Sequence, residues 1–493
     1  MLQSDIRSTS GGARALEHEE GTKKLRRDSG VEQVQTPSGD AHRVRALAST
    51  ALFSLVLWLC ASGRWGSYVG APQFSVYITE IVLVVIAVTS IAISPSSARL
   101  LVNDVVRVVR RSWTARLVVA LLLWTGLRLI LGGRLDATSL RDAAPYGYAA
   151  LGLVAAAWRD IRRSDLMVIV ALAWHDVWIA LSLTWPSLTG RFLALGPVRL
   201  LEIRPDFDAA VCGLAAAVLL RLALVALDRR RWLPAALMVA VALVNLYLVL
   251  LLHSRASLLS TVVALAVVPW GTGLRWSLLP RRAVLVVALV AALMTPVAAV
   301  TVLRSDPFQR LVDTFSSGQT DAKGTTQARQ EVWGMVTRYV TTSPEREAIG
   351  VGFGPDYLST IGAAKIYEGT TFTGVRAPHD YWLNTWVRLG AVGVALSIAL
   401  ALLAALSAVR SLWGGAMALP DVIAAALVLT LPLPASLGVI LESPFGAVPY
   451  FWALGRLVGS GIHRRDGQSR TRGRGLATEP VTEPAIPSRR GVE

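Results

Sequence analysis

Two short polar stretches interrupt long apolar runs with the residue types that proton transfer and phosphate binding need. Ala377-Pro378-His379-Asp380-Tyr381-Trp382-Leu383-Asn384 sets a histidine beside an acid just before an apolar run resumes. His253-Ser254-Arg255-Ala256-Ser257 is wedged between the run ending at Leu252 and the one beginning at Leu258. A histidine accepts a proton near neutral pH, as activating a hydroxyl requires. An arginine on so short a turn is held at the rim of a helix bundle, at headgroup depth, where its guanidinium forks onto phosphate. An interfacial arginine that stops the helix sliding would read the same way, and His379 beside proline and aromatics fits a structural interfacial role as well. Of the 6 histidines, His18, His42 and His463 fall in hydrophilic tails and His175 in mid-run, which leaves His253 and His379 for chemistry.

Between these stretches, Val332, Trp333, Val336, Tyr339 and Val340 recur at helical spacing behind Arg329 and before Ser343-Pro344, the pattern of an amphipathic helix at the bundle mouth. Gly350-Val351-Gly352-Phe353-Gly354-Pro355 follows. It lacks the strand-to-helix setting of a nucleotide fingerprint, but as a tight turn it brings the backbone at Gly352 and Gly354 close to a ligand. Asp206-Phe207-Asp208 has the spacing of a metal motif in nucleotide-sugar enzymes, yet it falls in a loop on the side away from nucleotide sugars, and no metal is expected there.

The elements that must position these residues are membrane helices. The chain has 493 residues, 53% of them hydrophobic, with a mean hydropathy of +0.51. Its apolar residues come as runs long enough to span a bilayer, near 46–62, 75–93, 116–132, 144–158, 166–185, 209–227, 233–252, 257–273, 282–303, 389–409, 420–441 and 445–462. An all-α polytopic membrane protein of about 12 transmembrane helices is expected. The formal charge of +16 is confined to tails and loops, which argues against a nucleic-acid-binding surface. Alternate loops carry Arg99, Arg107, Arg110 and Arg111, then Arg159, Arg162 and Arg163, then Arg229, Arg230 and Arg231, then Arg275, Arg281 and Arg282, so these face the cytoplasm.

That alternation puts both termini inside. The expected divisions are a disordered basic tail at 1–45, helices over 46–303, an extracytoplasmic loop at 304–388, helices over 389–462 and a second disordered basic tail at 463–493. Arginines in outer loops, among them Arg199, Arg204, Arg255 and Arg329, then have no topogenic reason to be there and suggest an anionic ligand, with lipid headgroups as the plainer alternative. Cys60 and Cys212 are the sole cysteines and read as small buried residues.

Across roughly residues 190–456 the chain resembles the O-antigen ligase and O-antigen polymerase superfamily of membrane glycosyltransferases. The resemblance rests on Arg199 with Arg204-Pro205-Asp206-Phe207-Asp208, Ser254-Arg255, Arg329 with Trp333, and the Pro344 to Gly354 turn. It continues through Pro378-His379-Asp380-Tyr381, Gly390-Ala391-Val392-Gly393 and Glu442-Ser443-Pro444 before Phe451-Trp452. It implies a GT-C-like fold with one large extracytoplasmic loop in the cytoplasmic (inner) membrane. It implies an undecaprenyl-diphosphate-linked glycan donor, a glycan or glycolipid acceptor, and no metal or other cofactor. His379 would then be the general base, Arg255 would bind the diphosphate, and Arg199, Arg204 and Arg329 would add contacts to diphosphate or glycan. Where the family commonly has Asn after the histidine this chain has Asp380, which would orient the imidazole, and Arg388 stands where an acid often precedes Gly-x-x-Gly.

A transporter or flippase of polyprenyl-linked sugars is the competing reading. His175-Asp176 in mid-span is its best support, since buried ionisable pairs often mark proton paths. The other spans carry little buried charge beyond Arg128 and Arg221, no internal repeat is evident, and transport has no need of so large an outer loop.

Overall fold

A computed structural model describes residues 39–62, 70–71, 76–132, 135–186, 194–195, 198–199, 203–252, 254–269, 322–368, 376–413 and 417–476. The chain divides into residues up to His42 and residues from Arg43 onward; of the first unit only 39–42 are described, as the start of a helix. The described chain is helical apart from two antiparallel ladders two residues long, Gly70–Ala71 with Val76–Tyr77 and Ala194–Leu195 with Val198–Arg199.

In chain order the helices are α1 (Gly39–Ser62), α2 (Ile78–Ile93), α3 (Pro95–Arg111), α4 (Trp113–Leu131), α5 (Ala137–Gly147), α6 (Ala149–Ala157), α7 (Ser164–Thr184), α8 (Pro205–Asp228) and α9 (Trp232–Leu251). They continue with α10 (Arg255–Val267), α11 (Ala322–Thr341), α12 (Pro344–Ile349), α13 (Tyr357–Thr360), α14 (Ala364–Glu368), α15 (Tyr381–Trp413), α16 (Leu419–Thr430), α17 (Pro432–Ala435) and α18 (Pro444–Leu476).

Among the described residues, 6 helices are long and apolar enough to cross a membrane: α1, α4, α7, α8, α9 and α15. The protein is an all-α, multi-pass membrane protein. Several of the other expected runs are broken, and the sequence says where. The run at 75–93 ends at Ser94-Pro95, and α3 leaves α2 at 114°, so a stretch read as a loop is a helix carrying Arg99, Arg107, Arg110 and Arg111. With its polar and apolar residues on opposite sides, α3 suits a membrane interface. Pro145 lies inside α5, and the run at 144–158 is shared between α5 and α6. Pro432 follows the end of α16 and opens the single turn of α17, because proline cannot continue the hydrogen-bond ladder. The run at 282–303 lies outside the described residues. Finally, α18 does not stop at 463 but continues as helix through Arg464, Arg465, Arg470, Arg472 and Arg474, where arginine's good helix propensity carries the ladder on.

Small residues let the core helices approach closely, which matters in lipid, where apolar contact alone does not favour helix association. Gly152 of α6 lies against Gly455 of α18, where a Cβ would sit 2.6 Å from the Gly152 Cα, and Gly459 abuts the Ala156 carbonyl. Phe53 of α1 stacks on Trp452 of α18 with ring centroids 5.2 Å apart. Cys60 and Cys212 are free thiols in different apolar clusters.

The segment before α15 has its own small core. Val332, Val336 and Val340 form the fully buried stripe of α11, packed on Tyr357, Leu358, Ala363 and Val387, so the helical spacing read from the sequence is the packing face. The Ser343 hydroxyl then caps α12. Within α15 the backbone breaks at Gly390, whose φ is +68°, where it crosses Gly350 at φ +76°. A Cβ on Gly350 would lie 2.6 Å from the Gly390 nitrogen, so two glycines are needed for the crossing. The kink falls next to 389, where the sequence pattern placed the start of a span.

Candidate functional site

His379 is held by its neighbours on both sides. The Trp333 indole N–H of α11 donates to the Pro378 carbonyl at 2.7 Å. Asp380 Oδ1 accepts the N–H groups of Trp382 and Leu383 at 2.9 and 3.0 Å, capping the start of α15. The Trp382 indole donates to Ser436 Oγ at 3.0 Å, tying this end of α15 to the turn between α17 and α18. Between these anchors His379 takes φ +58°, a left-handed conformation uncommon outside glycine, and is 8% exposed. Backbone held in such a conformation is a feature of sites whose surroundings over-determine it.

Two arginines bring charge to the imidazole from other parts of the chain. Arg329 stands one helical turn before Trp333, on the same face of α11, and donates to the Leu437 carbonyl at 3.0 Å. Arg204 precedes α8; its Nε lies 3.8 Å from Asp206 Oδ1 and its Cζ 5.1 Å from the centre of the Phe445 ring, the first turn of α18. Burial, then the fields of Arg329 and Arg204, press the His379 pKa down to about 3. The imidazole is therefore neutral at physiological pH and lies in the field of two guanidinium groups. That arrangement favours an anion, and an anion bound there would restore base strength to the imidazole.

A third element, the turn from Ser436 to Ser443, closes the group. Beyond Ser436 and Leu437 it supplies Gly438, where a Cβ would lie 2.8 Å from Asp206 Oδ2, and Glu442. Burial and the nearby Asp380 carboxyl push the Glu442 pKa up to about 8, against the opposing effects of Asn384 and Arg388. Burial likewise raises Asp380, partly countered by the two N–H groups it caps.

The residues expected from sequence fall into three groups. His379, Asp380, Arg204 and Arg329 come together. Asp380, expected to orient the imidazole, spends Oδ1 on the α15 N-terminus, since a carboxylate one residue before a helix is ideally placed for its free N–H groups. Arg255 opens α10 behind Ser254, which caps that helix, and Ser257 Oγ donates to the Asp206 carbonyl, so the start of α10 is tied to the start of α8 beside Arg204. The side chains of Arg255 and Arg199, and all of His253, lie outside what the structure describes.

Gly352 and Gly354 make their close contacts within the protein. The Gly350–Pro355 turn does bring backbone close to something, but to the protein itself. Arg128 donates to the Gly350 carbonyl at 2.8 Å, and Arg388 to those of Gly352 and Pro355 at 3.2 and 2.8 Å. Arg376 donates to the Gly354 carbonyl at 2.8 Å, and the Gly354 N–H donates to Asp142 at 3.2 Å. A Cβ at Gly354 would strike the Ser139 hydroxyl. Asp142 also pairs with Arg388 at 2.9 Å and Arg376 at 3.2 Å, so several arginines of this region serve the fold. Glu442 was visible in sequence only as part of the superfamily resemblance, and nothing in the pattern around Asp142 marked it.

No curated protein matches the chain. Residues 240–398, about a third of its length, match the family model described as O-antigen ligase, a stretch that holds Arg255, Arg329 and the His379 turn. Over that stretch, which runs from an apolar helix through the His379 turn into the next span, the chain is similar to the O-antigen ligase family.

Proposed function

We propose that the protein is a glycosyltransferase of the cytoplasmic membrane that moves a glycan from an undecaprenyl-diphosphate-linked donor to a sugar or lipid-linked acceptor on the outer face. The observation that carries this reading is the neutral His379 beside Arg204 and Arg329, within and next to a ligase-family segment. The acceptor hydroxyl attacks the sugar carbon that bears the diphosphate. As the new glycosidic bond forms, His379 takes the hydroxyl proton, and the sugar–phosphate bond breaks with its electron pair leaving on the diphosphate. Arg204, Arg329 and Arg255 stabilise that charge as it develops, which is the role a metal plays elsewhere. The GT-C-like architecture, some twelve crossings and an outer loop at 304–388 with both termini inside belong to the same proposal.

The decisive experiment is transfer by purified protein in lipid nanodiscs, with a lipid-diphosphate glycan as donor and the chelator EDTA present. Product formation is expected to persist without divalent metal; donor bound but never transferred to any offered acceptor would overturn the reading in favour of transport. Sidedness is tested with reporters fused after Lys365, expected to be active only outside, and after Arg230, active only inside.

Glu442 adds a pH dependence. Below about pH 8 it is protonated, and above that it places a second anion beside Asp380 where the donor diphosphate must approach. Donor KM is expected to rise as pH passes through about 8 in the parent protein. Glu442→Gln is expected to abolish that alkaline rise, and identical profiles for the two proteins would exclude Glu442 as its source.

A further inference from the structure

The transfer reaction has no use for the pair His175-Asp176. His175 lies in the middle of α7, about 17 Å from the start of a helix about 31 Å long at ~1.5 Å per residue. It is 1% exposed, and its two ring nitrogens face carboxylates from two different helices. Nδ1 is 3.7 Å from Asp176 Oδ1, and Nε2 is 3.9 Å from Asp208 Oδ1 in the first turn of α8. From α9 the fully buried Asn245 donates its amide to Asp176 Oδ2 at 3.0 Å. Cys212, one turn after Asp208, is the other titratable group beside the aspartates. Trp178, Ile179, Ala209, Leu248 and Leu252 wall the cluster with apolar surface.

The inventory of this cluster is incomplete. Both nitrogens of His175, Oδ1 of Asp176, Oδ1 of Asp208 and Oδ1 of Asn245 are buried with no hydrogen-bond partner. Buried polar atoms are nearly always satisfied, so unpaired atoms on facing side chains make a demand that a shared proton would meet. An imidazolium between the two carboxyl groups would balance charge that is otherwise costly to bury inside a helix bundle. Among the described residues no group of three or more His, Cys, Asp or Glu is arranged to hold a metal ion. The smallest cation suits this arrangement: a proton on the imidazole turns both ring nitrogens toward the aspartates as N–H groups, at ion-pair distances of 3.7 and 3.9 Å.

We propose that His175, Asp176, Asp208 and Asn245 form an intramembrane proton-binding site in which the imidazole is held charged between the two aspartates. The site reaches the proposed catalytic centre through Asp208, whose Oδ2 accepts the Arg204 backbone N–H at 2.7 Å. An imidazolium that holds Asp208 therefore also holds the turn that presents Arg204, making Asp208 a positioning residue; this coupling rests on the transferase reading, whereas the proton site does not.

The test is nitrogen-15 NMR of histidine-labelled protein in nanodiscs, with His175 assigned by the signals lost in His175→Asn. The expected result at pH 7 is an imidazolium, unchanged when sodium replaces potassium and converted to neutral imidazole in Asp208→Asn or, should that variant fail to fold, in Asp176→Asn. A neutral imidazole at pH 7 would overturn the proposal, and a signal that moves with sodium at constant pH would replace the proton with a metal cation. For the coupling, Asp208→Asn is expected to raise donor KM about tenfold, as loss of a partner that orients a binding group does. An unchanged KM with His175 charged in the parent would overturn the coupling while leaving the proton site in place.

Discussion

His379→Ala is expected to lower glycan transfer by ~10²–10⁴-fold while membrane insertion and donor binding stay within a few-fold of the parent. The acceptor is a neutral alcohol whose oxygen must lose its proton as it attacks, and a positioned base contributes a factor of that size. Burial and two arginines keep His379 unprotonated at neutral pH, at a cost in base strength that a bound diphosphate would offset in part. Alanine changes the backbone as well, since φ at this position is +58°. His379→Asn separates the two effects: asparagine visits the left-handed region readily but cannot serve as a base. The two variants are expected to lose the same activity, measured as single-turnover transfer with donor saturating. His379→Gly, which fits the backbone and leaves room for a small base, is expected to regain part of the rate with added imidazole. A His379→Asn protein that transferred at the parent rate would assign the residue a structural role only.

Periodicity and residue type carried most of what was legible in the sequence. The stripe of Val332, Val336 and Val340 is the buried face of α11, because helical spacing reports directly on which side packs. The spans α1, α4, α7, α8, α9 and α15 were readable from hydropathy for the same reason, their composition being dictated by the bilayer. Apolar runs also served as core segments too short or too broken to span alone, as at α5 with α6 and α16 with α17, and hydropathy does not separate those uses. At the site the signal was chemical. His379, Arg204 and Arg329 stand out in the sequence because each lies in a polar interruption. At the Gly350–Pro355 turn glycine marks a close approach without saying to what, and the partners in the structure are Arg128, Arg388, Arg376 and Asp142 from distant positions in the chain. Asp380 shows the opposite limit: its nearest neighbour in sequence is His379, but the nearest donors for its Oδ1 are the N–H groups of the helix that follows.

The arginines around His379 should control its protonation as well as the donor, and Arg204→Gln is expected to reveal both. In the parent protein His379 titrates near pH 3, so the acidic limb of the kcat/KM profile should contain no histidine step down to pH 5. Burial is the largest cause of the depression and Arg204 the smallest, so removing the Arg204 charge raises the His379 pKa only part of the way toward its ordinary value. The base requires the neutral form, so the variant should lose activity progressively on acidification at pH values where the parent does not. At neutral pH, where the imidazole stays mostly unprotonated in both, the variant is expected to fall by ~10²–10³-fold in kcat/KM through loss of diphosphate stabilisation. Binding the donor makes the two effects one mechanism. A diphosphate held by Arg204 and Arg329 offsets the part of the depression that the arginines cause, so His379 becomes a stronger base when the leaving group is in place. A profile for Arg204→Gln that is lowered uniformly, with no new acidic step, would separate Arg204 from His379 and leave it a contact to the donor alone.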